Sequence, residues 1–210
     1  MIQQLAEPEA EPISMLTIRP ATPTDVPQIL SFIRDLAVYE REPDAVRATE
    51  ADLLRDGFGP VKRFDCLIAE WSGAPAGLAL YFHNYSTWTG RAGIHVEDLF
   101  VRPEHRGKGI GKALLTRVAA IAVEEGCPRL QWDVLEWNTP AIGFYQQMGA
   151  QMLMEWRTMR VTGEGLPALA NLSSPVMLTD PSKSVILSGA KNPRILPDAP
   201  QISTPGKDSQ

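Results

Sequence analysis

The sequence predicts one mixed α/β domain, and three observations carry that reading. The first is a strand–turn–helix signature over residues 97–112, where Glu97-Asp98-Leu99-Phe100-Val101 leads into a turn holding Gly107, Gly109 and Gly111. The second is the alternation of segments in the order β-α-α-β-β-β-α-β-α-β, with no internal repeat. The third is composition: 210 residues, 44% hydrophobic and 21% charged, hold material for one sizeable core.

Each element has a local cause. Residues 1–14 are acidic and proline-containing and are expected to be a disordered leader; residues 16–18 open the fold as a strand. Thr24 or Asp25 caps the next helix and Pro27 sits in its first turn. Ile29, Phe32, Ile33 and Leu36 form its apolar face until it runs out near Tyr39 and Glu40. Thr49 caps a short helix over 50–55 that Gly57 ends. Residues 64–70 and 75–81 read as strands joined through Trp71-Ser72-Gly73, a hairpin signal. The polar and aromatic residues 83–90 are expected to be a loop, and 93–101 a strand.

After the glycine turn a helix starts near Gly109, carries Leu114, Val118 and Ile121 at spacings of four and three, and stops at Gly126. Residues 130–134 read as a strand. Thr139 caps a helix with Pro140 at its first position, running to Met148 and ended by Gly149. Residues 152–161 complete the sheet. The domain is expected over 15–170. Beyond it, 171–210 is rich in Pro, Ser, Asp and Lys and is expected to be a disordered tail.

A net charge of −5 argues against a nucleic-acid partner, which would require a basic face. No stretch approaches the roughly 20 apolar residues of a membrane span. Two cysteines, Cys66 and Cys127, make no disulfide framework. The expected location is the cytoplasm. His83, His95 and His105 lack metal-ligand spacing, so no metal is expected.

A helix that starts in a glycine-rich turn aims unpaired N–H groups and its positive dipole end at whatever lies above it. With Arg106, Lys108 and Lys112 nearby, that is a site for a phosphorylated ligand. A Walker A loop fails here, because Arg106 stands where its first glycine belongs and Ala113 where its hydroxyl belongs. A G-x-G-x-x-G fingerprint started at Gly107 fails at Lys112. What remains is Arg-x-x-Gly-x-Gly, formed by Arg106, Gly109 and Gly111.

That pattern resembles the pyrophosphate loop of the Gcn5-related N-acetyltransferases (GNATs), which bind acetyl-CoA. The stretch Glu136-Trp137-Asn138-Thr139-Pro140-Ala141-Ile142-Gly143-Phe144-Tyr145 is similar to the asparagine-to-tyrosine segment of the same superfamily. Asn138 and Tyr145 lie about two turns apart, on one helical face. Ile18-Arg19-Pro20-Ala21, Leu36-Ala37-Val38-Tyr39-Glu40, Asp52-Leu53-Leu54-Arg55-Asp56-Gly57-Phe58-Gly59 and Val96-Glu97-Asp98 resemble the diamine acetyltransferase group, whose members act on spermidine and spermine or on thialysine. The likeness covers about 16–170. Polyamine-acting members carry an acidic residue two positions before Trp88; Ser86 stands there instead, as in the thialysine-acting branch.

The resemblance implies a mixed seven-stranded sheet, splayed at the acetyl-CoA site, with helices on both faces, and it implies a homodimer. It assigns acetyl-CoA to Leu99, Phe100 and Val101 on the strand, to Arg106, Gly107, Lys108, Gly109, Ile110, Gly111 and Lys112 in the turn and helix start, and to Asn138, Ala141 and Tyr145. An amine with a pKa near 10 must lose a proton before it attacks a thioester. The resemblance makes Glu97 the general base, acting through water, and Tyr145 the acid that protonates the departing thiolate. Asp98 alternates to the other strand face and reads as structural. Tyr39, Glu40, Trp88, Glu97, Gln131, Trp132 and Asp133 are the expected contacts of a small amine substrate. Other readings on the same scaffold are acetylation of a protein N-terminus or an aminoglycoside-like amine, and a regulatory module that binds acyl-CoA without turnover.

Overall fold

The structure, a computed structural model, describes residues 15–172. One sheet holds β1 (Leu16–Pro20), β2 (Asp65–Trp71), β3 (Ala74–Ser86), β4 (Arg91–Val101) and β5 (Leu130–Trp132), side by side in that order. The first four run antiparallel to their neighbours, and β5 lies parallel to β4. A parallel pair needs a long crossover; α3 (Ile110–Glu124) supplies it. A short 3-10 turn over Pro23–Asp25, then α1 (Val26–Tyr39) and α2 (Glu50–Phe58), connect β1 to β2. After β5 come α4 (Thr139–Gln147) and α5 (Gly165–Asn171).

Strand alternation divides the core into two layers, with helices on both faces as expected. On one face Ile29 and Phe32 of α1 and Leu53 of α2 pack with Ile68, Leu78 and Phe100. On the other, Ile110, Leu114 and Val118 of α3 pack with Leu67, Ala69, Ile94 and Val96. Arg19 fixes the corner between β1 and α1. Its guanidinium donates two hydrogen bonds of 2.8 Å to Asp25 and one of 2.8 Å to Glu70. This pairing holds the Asp25 carboxyl well below the usual carboxylate range.

Several expectations are corrected. Residues 83–86 are strand, not loop: the register continues from His83 opposite Ile94 to Ser86 opposite Arg91, leaving only 87–90 as the turn. Polar side chains hide a strand whose ladder comes from its hairpin partner. Helix α2 runs through Gly57 to Phe58; Gly57 is there not a stop but the residue that lets the Phe64 ring pack close, 2.7 Å from where a Cβ would stand. The strand expected over 130–134 ends at Trp132, where β4 turns away. Asn138, not Thr139, caps α4.

The largest difference lies at 152–161. Among the described residues the sheet has five strands rather than seven, and 152–161 is without regular structure. Its apolar side chains face outward, with Leu153 64% and Met159 91% exposed. A strand is made by a neighbour's hydrogen bonds, and no neighbour within the described chain supplies them. Helix α5 is not among the elements expected from the sequence. No helix of the described residues is long and apolar enough to cross a membrane. The expected leader, 1–14, and all but the first two residues of the expected tail lie outside the described residues.

Candidate active site

Strands β4 and β5 pair only through Ile94 with Leu130, His95 with Gln131 and Val96 with Trp132. Beyond Val96 they part, and a cleft of about 540 Å³ opens between them. Its walls are β4 from Val96 to Val101, the glycine turn, the start of α3, the residues after β5, α4 and the end of α1. The splay implied by the sequence resemblance is therefore present.

The turn is built for a ligand that approaches the main chain. Gly107 and Gly109 have φ of 75° and 79°, the left-handed region that favours glycine. A Cβ at either would meet no protein atom within 4 Å, so the backbone there is bare. The first main-chain bond of α3 runs from Ala113 N–H to Gly109 C=O at 3.0 Å. The N–H groups of Ile110, Gly111 and Lys112 thus belong to the first turn, which the helix itself leaves without partners. This fits the pyrophosphate of a CoA thioester. Lys108 does not share the cleft: its Nζ lies 5.1 Å over the Trp71 ring and 3.3 Å from His105 Nδ1.

Glu97 owes its aim to an irregularity. Val96 pairs with Tyr81 and Asp98 with Leu80, which leaves Glu97 as the extra residue of a β-bulge. Bulges re-aim side chains, and here the Glu97 carboxylate stands at the cleft wall, 44% exposed. His95, buried at 2% and stacked on Phe82 at 5.0 Å, brings Nε2 to 3.7 Å from the Glu97 carboxylate. The Gln131 amide approaches the other ring nitrogen of His95 at 3.4 Å. Residue spacing carries no sign of this contact, since His95 reads as an ordinary packed residue. Asp98 lies near Cys66, whose thiol is pushed upward by burial and, to a lesser degree, by the Asp98 charge.

Across the cleft stands Tyr145, packed against Trp132 at 4.9 Å and Phe144 at 5.2 Å. Burial, then the charges of Glu40 and Tyr39, raise its phenol above the ordinary value. It therefore stays protonated at neutral pH and can donate. Asn138 Oδ1 accepts from Ala141 N–H at 3.3 Å and from the Tyr39 hydroxyl at 2.9 Å. One amide so ties the start of α4 to the end of α1.

Tyr39 also belongs to a stack that the spacing of residues could not reveal. The Arg41 guanidinium lies 4.5 Å over Trp137, and Trp137 is 6.0 Å from Tyr39. Arg106 lies 4.7 Å over the other ring neighbour, Tyr39, and 5.9 Å from Phe100. Arg106 Nε donates to Val101 C=O at 3.0 Å. The stack joins α1, the turn before α4 and the glycine turn. Glu40 lines the cleft beside it, its carboxyl raised by burial.

Of the expected amine contacts, Tyr39, Glu40, Glu97, Trp132 and Asp133 line this cleft. Gln131 does not; it faces His95. Trp88 is 76% exposed in the turn between β3 and β4, away from the cleft. Ser86 is buried at the same turn, its hydroxyl accepting from Thr89 N–H at 3.4 Å, so it shapes the hairpin and does not line the cleft. Sequence spacing also missed a surface cluster of potential metal ligands, His83, Glu125 and Cys127, whose ligand atoms lie within 4.8 Å of one another. A His83–Glu125 contact of 2.6 Å accounts for most of that closeness.

Residues 9–150 match the family model described as Acetyltransferase (GNAT) family. The chain is 41% identical over 169 residues to thialysine N-epsilon-acetyltransferase of Bos taurus, covering 75% of this chain and 99% of that protein. It is 35% identical over 201 residues to an L-ornithine N5-acetyltransferase of Arabidopsis thaliana, covering 74% and 88%. Among solved structures it is similar to an integron cassette protein from the mobile metagenome of V. cholerae. There the TM-score is 0.65 at 27% identity, covering 75% of this chain and 98% of that one. With a bare glycine turn at a helix start, a bulged glutamate and a facing tyrosine already in one cleft, these matches establish that the chain belongs to the GNAT acetyltransferase family, which uses acetyl-CoA as co-substrate.

Proposed function

We propose that this enzyme acetylates a primary amine of a small basic amino acid or diamine by direct attack in a ternary complex, with Glu97 as general base and Tyr145 as general acid. The observation that carries this reading is that Glu97 and Tyr145 line the same cleft, and that cleft ends at the first turn of α3. Acetyl-CoA supplies an acetyl group already activated as a thioester. The N–H groups of Ile110, Gly111 and Lys112, with the bare turn at Gly107 and Gly109 and the Arg106 charge, hold its pyrophosphate. Main-chain N–H groups between Leu99 and Val101 hold the acetyl carbonyl and the negative charge that grows on its oxygen. Asn138 and Ala141 border the pantetheine path.

Glu97 draws the ammonium proton of the acceptor through a water molecule, with buried His95 holding the carboxylate in place. Tyr145 donates its phenolic proton to the departing sulfur. Tyr39, Glu40, Trp132 and Asp133 surround the acceptor chain, and the two carboxylates suit a cationic substrate. The relatives named for thialysine and L-ornithine favour an amino acid with a terminal amine.

The catalytic domain spans 15–170 in this reading, in a cytoplasmic protein whose two cysteines stay free thiols. We also infer a homodimer. Its support is the apolar segment 152–161, with Met154 65%, Trp156 48% and Met159 91% exposed, together with a sheet whose β5 edge has no strand neighbour among the described residues. Trp88 joins an acceptor site only in such an assembly.

The direct test measures thiol release from acetyl-CoA with thialysine, lysine, ornithine, spermidine, spermine and a short peptide as acceptors. Turnover on the amino acids supports the reading. Turnover confined to the peptide contradicts it.

A further inference from the structure

Helix α1 ends in two main-chain bonds, Arg41 N–H to Val38 C=O at 3.1 Å and Glu42 N–H to Ala37 C=O at 2.9 Å. This is a Schellman cap, whose left-handed position is usually glycine. Here it holds Arg41, at φ 67°. A side chain in that conformation is strained, and such strain at a cleft points to a use for the side chain.

The use is suggested by where the guanidinium lies. It stacks 4.5 Å over Trp137, and the chain neighbours of the two residues, Glu40 and Asn138, line the cleft, which puts the pair at its rim. Among the described residues it has no carboxylate partner within ion-pair distance. Stacking holds the guanidinium plane in place and leaves its N–H groups able to donate. Glu40, the adjacent residue, lines the cleft itself. Tyr39 and Glu40, at the end of α1, line the same cleft as Tyr145. A cation on the rim next to an anion in the wall matches a group carrying an anion and a cation on one carbon. A free amino acid has such a group. A diamine or polyamine does not.

We propose that Arg41 binds the α-carboxylate of the acceptor while Glu40 takes its α-ammonium, so that the cleft selects basic amino acids over diamines and polyamines. This rests on the acetyl-transfer reading above and goes beyond it by assigning the selectivity to Arg41. Trp137 is then a positioning residue that holds the guanidinium plane.

The test compares L-thialysine with its carboxamide, which keeps both amines and loses only the negative charge. Acceptor kinetics are measured for the wild type, Arg41→Gln, Arg41→Lys and Arg41→Gly. In the wild type kcat/KM favours the carboxylate acceptor. In Arg41→Gln and Arg41→Gly that preference falls about tenfold or more, as expected when a charge-assisted hydrogen-bond pair is lost, and the loss sits in KM. Arg41→Lys keeps part of it. Arg41→Gly guards against a folding artefact, because glycine relieves the left-handed strain and leaves the thermal midpoint equal or higher.

A wild type that prefers the carboxamide, or a preference that is the same in all four proteins, would overturn the carboxylate assignment while leaving acetyl transfer intact. No turnover of either acceptor by the wild type, together with none on the wider amine panel, would overturn the acetyl-transfer reading and this inference with it.

Discussion

The cleft has two halves that recognise ligands by different means. The half formed by β4, the glycine turn and the start of α3 offers mainly backbone: bare glycines at 107 and 109, first-turn N–H groups, and a β4 edge that, among the described residues, has no strand on the β5 side beyond Val96. The half formed by the ends of α1 and β5 and by the turn into α4 offers side chains: Tyr39, Glu40, Trp132 and Asp133 line it, and the Arg41–Trp137 stack adjoins them. A backbone site tolerates changes in side chains but not in conformation. A side-chain site can be retuned one residue at a time. One half is therefore suited to a fixed co-substrate and the other to a variable amine.

The contrast can be broken in graded steps. The largest effect is expected where the halves meet. Tyr145→Phe and Glu97→Gln should each lower kcat by about 10²-fold or more while acetyl-CoA binding stays within about twofold, the usual scale of a lost general acid or base. Stopped-flow turnover and equilibrium binding on the same preparations check this. The pH profile sharpens it. Because burial raises Tyr145 above its ordinary value, the phenol stays protonated through neutral pH, and any loss of rate from its ionisation sets in at a more alkaline pH than an ordinary tyrosine would give. That alkaline limb should be absent from the residual activity of Tyr145→Phe.

In the backbone half, Gly109→Val forces a β-branched side chain to φ 79° and fills the space over the turn. The strain of order 1–3 kcal/mol should raise the KM for acetyl-CoA by about tenfold, with a smaller change in the KM for the amine. In the side-chain half, Tyr39→Phe removes the 2.9 Å bond to Asn138 but keeps the stack. A loss of about 1 kcal/mol predicts a change of about fivefold, felt in the amine KM more than in that of acetyl-CoA.

The smallest effect should be structural only. Arg19→Ala removes the Asp25 and Glu70 contacts, which solvent partly screens, at a cost of about 1 kcal/mol and a fall in midpoint of about 2–4 °C. The Asp25 carboxyl titrates lower in the folded than in the unfolded chain, so the pairing stabilises above the unfolded value and fades as pH falls through the folded one. The gap in stability between Arg19→Ala and the wild type should therefore narrow in acid. Thermal melts over a pH series measure it.

The same contrast explains what the sequence made legible. Glycines and caps are local signals, so the turn at 107–111, the α3 start and the Asn138–Tyr145 face could be read directly. The bulge at Glu97 could not, because it arises from register with β3, set by residues far along the chain. Nor could the Arg41–Trp137–Tyr39–Arg106 stack, which joins four residues from three separate elements. The missing strand at 152–161 has the complementary cause. Its apolar pattern is a strand's, but a strand forms only against a partner edge, and the pattern does not say whose edge that is.

The most direct measurement of the central claim is thiol release from acetyl-CoA with thialysine by the wild type and by Glu97→Gln, with acetyl-CoA affinity determined on both. Unchanged affinity with turnover lowered by about 10²-fold would agree with a bulged glutamate that serves the acceptor amine and not the co-substrate. Equal turnover in the two proteins would contradict it.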